Sequence, residues 1–414
     1  MSYSVNTFTD YVLLFGSSSL VGKGTLENLL DINLYIKNVS DLQGKLDSLS
    51  EIKGNVVLNK HVFCVNRRCI NEEKSFMKTI DYINMRSVTW QGGRYYLRSR
   101  KEKDTEKVPS SPNTFCYDNF EEGFIKNTPE ERGKDGYSFV YNQKQFSYTL
   151  HYACGKEKGI EIIYNFTVTQ LIIPRSETWP KLLPRIFSGT QKLEKFDIDN
   201  KNYVPGRSLP SLCDISTMVC SLGSTSARVR RTQVPSSFAD YYLPFNLAQE
   251  FTNTTNKRLV VTTAFNNDFL SKTFEYFRIK AKLENDLDEA LPNKLKELVI
   301  LRPGPMCGQH GNPINVELGK ENSTFLEKIF YYPHYLLVYK KKYISEARRI
   351  GLRTKLSEII ASSIYRMPGS ALLGYAVPVS KVSYVASLMA IARKSKEAGP
   401  KLEVINSYQI DMIV

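Results

Sequence analysis

Tyr276 and Lys280 stand four residues apart in "EYFRIKAKLE" (275–284), and upstream of them the apolar "RLVV" runs into Thr262 and Thr263. A tyrosine and a lysine at i and i+4 share one face of a helix, so the ammonium can lie beside the phenol. A phenol, with a reference pKa of about 10, is a poor proton carrier near neutrality, and a neighbouring cation favours its phenolate. Tyr276 would then exchange a proton with a carbonyl or an alcohol, while a threonine hydroxyl holds the reacting oxygen. An aromatic and a lysine four apart also arise on ordinary helices, so the pair draws its meaning from its surroundings.

The second chemical feature is "GSSSLVG" at 16–22, directly behind "YVLLF". In a dinucleotide-binding loop one glycine permits the tight turn, one admits the pyrophosphate close to backbone, and one lets helix and strand pack. Gly16 and Gly22 can perform the first and last tasks. Ser19 occupies the middle place and puts a hydroxymethyl group where bare backbone would meet phosphate. Serine hydroxyls and the helix N-terminus still offer hydrogen bonds to an anion. The loop therefore permits a phosphate without demanding one.

The elements that must position these residues alternate. "YVLLFG" (11–16) is a short buried strand, and "LVGKGTLENLLDINLY" after it has near-helical apolar spacing. "ISTMVCSLGS" (215–224), "KRLVVTTAF" (257–265) and "KELVILRPGPMCG" (296–308) are further buried strands, with a helix expected over about 271–291. Such alternation predicts an α/β fold, a Rossmann-like doubly wound and mostly parallel sheet. The sequence divides into a Rossmann-like part (1–36 and 161–310), an insertion (37–160) and a small C-terminal lobe packed on the main domain (311–414). "FTVTQLIIPR" (166–175) is preferred as the second core strand over "NKHVFCVNRR" (59–68), being more apolar. Within the insertion, "GYSFVYNQKQFSYTLHYAC" (136–154) reads as strand, with a hairpin around "NQKQ". Near the C-terminus, "VPVSKVSYVASLMAIARKS" (377–395) predicts an amphipathic helix with Val382, Val385, Ala386 and Met389 near one face.

Composition narrows the class. Aromatic residues make up 12% and charged residues 24% of the chain, which suits a folded protein. No stretch reaches the roughly 20 apolar residues that span a bilayer, and the N-terminus does not read as a secretory leader. The seven cysteines, an odd number, suit a reducing compartment, and with four histidines they show no metal-ligand spacing, so no metal is expected. A formal charge of +14 would concentrate nucleic acid or anionic lipid around the chain. "RYYLRSRKEK" (94–103) interleaves tyrosines with cations and is the first candidate for weak, non-specific nucleic-acid contact; the same residues would also make an ordinary solvated loop.

"GSSSLVG", "CSLGSTSARVR" (220–230), "DYYLPFNLAQE" (240–250), "VVTTAF" (260–265), "YFRIKAKLE" (276–284) and "ILRPGPMCG" (300–308) occur in the order seen in the atypical short-chain dehydrogenase/reductase superfamily. They are most similar to the branch containing the Tat-interacting thirty-kilodalton oxidoreductase-like protein, over residues 11–35 and 166–395. The whole chain also resembles a fungal family of factors associated with control of mutagenesis and DNA repair. The superfamily resemblance implies a cofactor loop of Gly16, Ser17, Ser18, Ser19, Leu20, Val21 and Gly22, with Leu222, Gly223 and Ser224 passing the ribose and nicotinamide. It implies catalytic roles for Tyr276, Lys280 and Thr262 or Thr263, with Lys280 also on the ribose, and a turn at Arg302, Pro303 and Gly304. Arg175, at the end of the preferred second strand, would take an adenosine 2′-phosphate and so favour NADP(H). Arg228, Arg230 and Arg231 crowd charge behind the "LGSTS" turn, for a phosphate-rich partner or for solvent. Two functions follow. One is a regulator of mutagenesis or DNA repair acting through DNA-repair proteins or nucleic acid, in the nucleus or cytoplasm with mitochondrial association open. The other is an NADPH-dependent reductase of a small carbonyl compound. Ser19, the insertion and the excess charge favour the regulator.

Overall fold

Strand β1 (Asn6–Phe15) contains the run Val12, Leu13, Leu14 and Phe15, all inaccessible to solvent, as a strand covered on both faces requires. The computed structural model describes residues 6–29, 56–67, 86–91, 94–99, 116–125, 139–152, 160–173, 175–197, 202–223, 235–253, 257–290, 295–307, 377–391 and 401–413. On one side of β1 lie β2 (Val56–Asn66) and then β7 (Ile160–Ile172); on the other lie β10 (Thr217–Cys220), β11 (Lys257–Thr262), β12 (Leu295–Arg302) and β15 (Lys401–Asn406). All neighbours in this seven-strand series are parallel. The expected Rossmann-like α/β fold is present.

Alternate residues of each strand feed two cores. Val12, Leu14, Val219 and Val260 face helices α1 (Leu20–Leu29) and α6 (Val379–Ile391), whose Val382, Val385, Ala386 and Met389 are buried there as expected. Leu13, Phe15, Met218 and Leu259 face α2 (Trp179–Ile186), α3 (Leu243–Phe251) and α5 (Glu275–Ala290). The short helix α4 (Asp268–Thr273) leads into α5, and α7 (Ser407–Ile413) follows β15. Helices α1 and α6 run parallel at close range, because Ser383 Oγ donates to the Val21 carbonyl and Ser387 Oγ to the Thr25 carbonyl, each at 3.0 Å. A Cβ on Gly24 would lie 2.6 Å from Ser383 Oγ, so the approach needs glycine there.

Three expectations change. The second core strand is β2, paired with β1 from Asn6↔Val56 to Phe15↔Val65, and the segment preferred from the sequence is the third strand, β7. Polar residues made β2 look unlike a core strand, but its neighbours satisfy them: Lys60 pairs with Asp10, and His61 packs on the Tyr11 ring. The boundary at residue 37 therefore moves, since 56–66 belongs to the main sheet. The inserted strands also join it. β5 (Cys116–Ile125) and β6 (Phe139–Tyr152) extend the sheet antiparallel beyond β7, followed by β8 (Lys192–Asp197) and β9 (Asn202–Ser208). "NQKQ" is the middle of β6, paired on both sides, and not a hairpin turn. A separate antiparallel pair joins β3 (Arg86–Gln91) and β4 (Arg94–Ser99).

The third change concerns the C-terminal lobe. α6 fills one core and β15 pairs with β12 from Glu297↔Lys401 to Arg302↔Asn406, so 377–413 completes the Rossmann-like sheet. β13 (Met306–Cys307) and β14 (Val377–Pro378) pair to tie the strand end to the start of α6. Most of the rest of 311–414 lies outside the described residues. Among the described residues no helix is long and apolar enough to cross a membrane.

Candidate functional site

From β1 the chain moves outward to β2 and later returns on the opposite side at β10. That reversal falls between β1 and β10, and doubly wound sheets place ligands at the carboxyl ends of the strands at such a point. The 16–22 loop, the residues after β10 and the start of α5 are the candidate groups at this edge.

The two loop glycines are dictated by space. Gly16 has φ 83° and a Cβ there would lie 2.6 Å from the Ser221 carbonyl oxygen; a Cβ on Gly22 would lie 2.0 Å from the Gly16 oxygen. Ser19 fits for a different reason. Its hydroxyl accepts from the Gly22 amide at 3.0 Å and donates to the Ser221 carbonyl at 3.2 Å, so it caps α1 and pins the loop to the strand beside it. One amide that a phosphate would use is thereby satisfied internally. Ser17 is buried and donates to Asn66 Oδ1 at 2.8 Å, Ser18 is exposed, Leu20 is half-buried and Val21 sits in the core. Burial pushes the neighbouring Cys64 thiol up to about 12 against a smaller opposing effect of Ser17, leaving it unreactive.

At the other flank, α5 carries Tyr276 and Lys280 on one face as the spacing predicts. Tyr276 is 43% exposed, whereas Lys280 is buried. Lys280 Nζ lies 3.0 Å from Asp240 Oδ1, the two side chains being 2% and 1% exposed. Asp240 comes from a π-helical turn, Phe238–Tyr242, which runs into α3. The Tyr276 phenol is raised above its ordinary value, first by burial; Lys280 draws it down and Asp240 pushes it up. The expected lowering by Lys280 is thus outweighed, because the cation is shared with a carboxylate and desolvation opposes the phenolate.

The threonines separate. Thr263 Oγ1 donates to the Glu284 carboxylate, with the Leu301 carbonyl at 3.2 Å. Glu284, one turn beyond Lys280, also receives Arg302 at 2.8 Å from Nε and 2.6 Å from the terminal guanidinium nitrogen. Thr262 Oγ1 is buried without a hydrogen-bond partner. Pro303 accepts the Phe265 amide through its carbonyl, and the Gly304 amide donates to Ser407, so this turn serves α7. Leu222 packs on the second core, and exposed Gly223 follows it, its added Cβ falling 3.5 Å from Asp240 Oδ1. Ser224, Arg228, Arg230 and Arg231 lie outside the described residues.

Arg175 is placed differently from the expectation. It follows β7, one strand too far from β1, and the residues that end the true second strand are Asn66 and Arg67. Sequence reasoning also missed Asp240 and Glu284. The signal was available: "DYYLPF" sets an acid just ahead of the helix that begins at Leu243, and Glu284 continues the i+4 series from Tyr276 and Lys280.

Sheet order, glycine loop and the Tyr276–Lys280 helix define a Rossmann-like α/β protein in which Ser19, Lys280 and Thr263 are each engaged by other residues of the chain. Residues 168–336 match the family model described as HIM1. The chain is 99% identical over 414 residues to "Protein HIM1" of Saccharomyces cerevisiae (strain ATCC 204508 / S288c), covering 100% of both. The chain belongs to the HIM1 family. This bears out the resemblance of the whole chain to that fungal family.

Proposed function

We propose that the protein acts in the control of mutagenesis or DNA repair as a non-catalytic binding scaffold, through contacts with repair proteins and salt-dependent contacts with nucleic acid. The observation that carries this reading is the buried Lys280–Asp240 ion pair. A reductase of the resembled type needs Lys280 to lend its charge to Tyr276 and to meet a ribose. A buried carboxylate at 3.0 Å takes that charge, and separating the two would leave a charge uncompensated in the interior. Ser19 adds to this by capping the helix that a pyrophosphate would approach.

Retention of Gly16 and Gly22, with the unpartnered Thr262 hydroxyl, supports a second reading in which NADP(H) still binds, weakly, and a small carbonyl compound is reduced. Calorimetric titration with NADPH and NADH separates the two. The scaffold reading expects no saturable heat from either at millimolar cofactor. Micromolar binding of NADPH would instead return the oxidoreductase to first place. In cells lacking the chain, re-expressed wild-type and Tyr276→Phe proteins should restore the same mutation frequency; failure of the variant alone would contradict a non-catalytic role.

A further inference from the structure

Helix α2 turns Trp179, Leu182, Leu183 and Ile186 into the core beneath it. Its outer face is left to Lys181, Pro184 and Arg185, all exposed, with the two cations one turn apart. Exposed Arg175 precedes the helix and exposed Lys192 follows it, and Glu177 is the one acid between them. None of Arg175, Lys181 and Lys192 forms an ion pair among the described residues. The rest of this helical layer differs. α3 packs on both α2 and α5, and around α4 and α5 exposed Asp268, Glu275, Asp288 and Glu289 offset the cations. Aromatic exposure is distributed the other way. Trp179 and Phe187 are buried at α2, whereas Phe269, Phe274 and Tyr276 are exposed around α4 and α5.

We infer that the Arg175–Lys181–Arg185 face of α2 binds the phosphate backbone of double-stranded nucleic acid without reading its sequence. Cations with no exposed ring among them neutralise phosphates but cannot stack on an unpaired base, the contact that favours single strands. A duplex carries one charge per about 1.7 Å of axis, against one per about 3.4 Å for each strand, so a face that works through charge alone prefers the duplex. Membrane surfaces are a poorer match, because interfacial helices draw on buried apolar area as well as charge, and the apolar side of α2 is already spent in the core. The net charge of +14 supplies the long-range attraction, and the balanced charge around α5 leaves α2 as the end of the layer where it can act. This inference rests on the repair-side reading above and names the surface and the strand state.

Fluorescence anisotropy of the full chain with a labelled mixed-sequence duplex, and with a single strand of equal length, tests it over a salt series. Duplex should bind more tightly than single strand, and a second duplex of unrelated sequence should bind equally. The Lys181→Gln, Arg185→Gln double variant should lower the slope of log affinity against log salt by about 1.8, near 0.9 for each lost phosphate contact. Adding Arg175→Gln should bring the loss to about 2.7. The Lys272→Gln, Arg278→Gln variant removes the same net charge from the α4–α5 region and should bind as wild type. Equal loss in the two double variants, single strands bound as tightly as duplex, or no duplex binding at low salt would each overturn the inference. Tighter binding to phosphatidylserine vesicles than to duplex, lost in the Lys181→Gln, Arg185→Gln variant, would give the face to a membrane and overturn it as well. The substituted side chains are exposed, so thermal melts should match wild type. Where the triple variant melts early, the double variant carries the test. A regulatory role fails separately, in the mutation-frequency assay, which needs no nucleic-acid contact by the chain itself.

Discussion

The glycine loop at 16–22 and the Tyr276–Lys280 helix both carry the residue spacing that the short-chain reductase resemblance assigns to a site, yet their surroundings differ from such a site in different physical ways. In the loop, backbone geometry is preserved to the limit of van der Waals space at Gly16 and Gly22, and only a hydrogen-bond donor has been redirected, through Ser19. In α5 the spacing is preserved and the charge has been redirected, from Tyr276 to Asp240. Geometry that the fold itself needs persists whatever the function. The positive φ of Gly16 and the contact of Gly22 with Gly16 form the turn between β1 and α1. Charge that only chemistry needs is free to be neutralised.

The strongest way to break this contrast is Gly22→Ala. With the Gly16 oxygen 2.0 Å from the new Cβ, the turn must move, and we expect a loss of about 4 kcal/mol or more in chemical denaturation. A loss below about 1 kcal/mol would mean that the loop is not structurally required. Next comes Asp240→Asn, which leaves Lys280 buried beside an uncharged amide and should cost about 3 kcal/mol. The same change removes one of the effects raising Tyr276, so its phenol should ionise at lower pH than in wild type, read by ultraviolet absorbance against a Tyr276→Phe background. An unchanged phenol titration would show that Asp240 does not hold the charge of Lys280. Ser19→Ala removes the cap of α1 and should cost about 1 kcal/mol, while opening the helix terminus to anions. Thermal unfolding with and without phosphate would record both effects. The smallest change is expected for Tyr276→Phe, within about 0.5 kcal/mol, because the tyrosine is partly exposed. Loss of several kcal/mol would mark its hydroxyl as a structural hydrogen-bonding group.

Much of this arrangement was legible in the sequence, with instructive gaps. The apolar runs of β1, β10, β11 and β12 and the spacing of α6 are read directly, since strands covered on both faces and amphipathic helices carry strong periodic signals. β2 was misplaced because Lys60 and His61 obscure its apolar face, and their partners, Asp10 and Tyr11, are about fifty residues away. The i+4 relation of Tyr276 and Lys280 is local and was readable; the carboxylate opposite Lys280 is forty residues upstream and belongs to another helix. Motif spacing records which groups share a face. It does not record what the fold sets against them, and here that decides the chemistry.

The account turns on the protonation of Tyr276. Its folded-state pKa is raised, so the folded protein holds this proton more tightly than the unfolded chain. The stabilisation from this group is therefore complete below the unfolded value of about 10 and is lost as pH rises through the folded value. Ultraviolet titration of the wild-type protein, with the Tyr276→Phe curve subtracted, isolates this one phenol. We predict ionisation only above about 10, the ordinary phenol value. A midpoint clearly below that value would show Lys280 acting on the phenol unopposed by Asp240, and would contradict the view that this Rossmann-like site has given up proton-transfer chemistry.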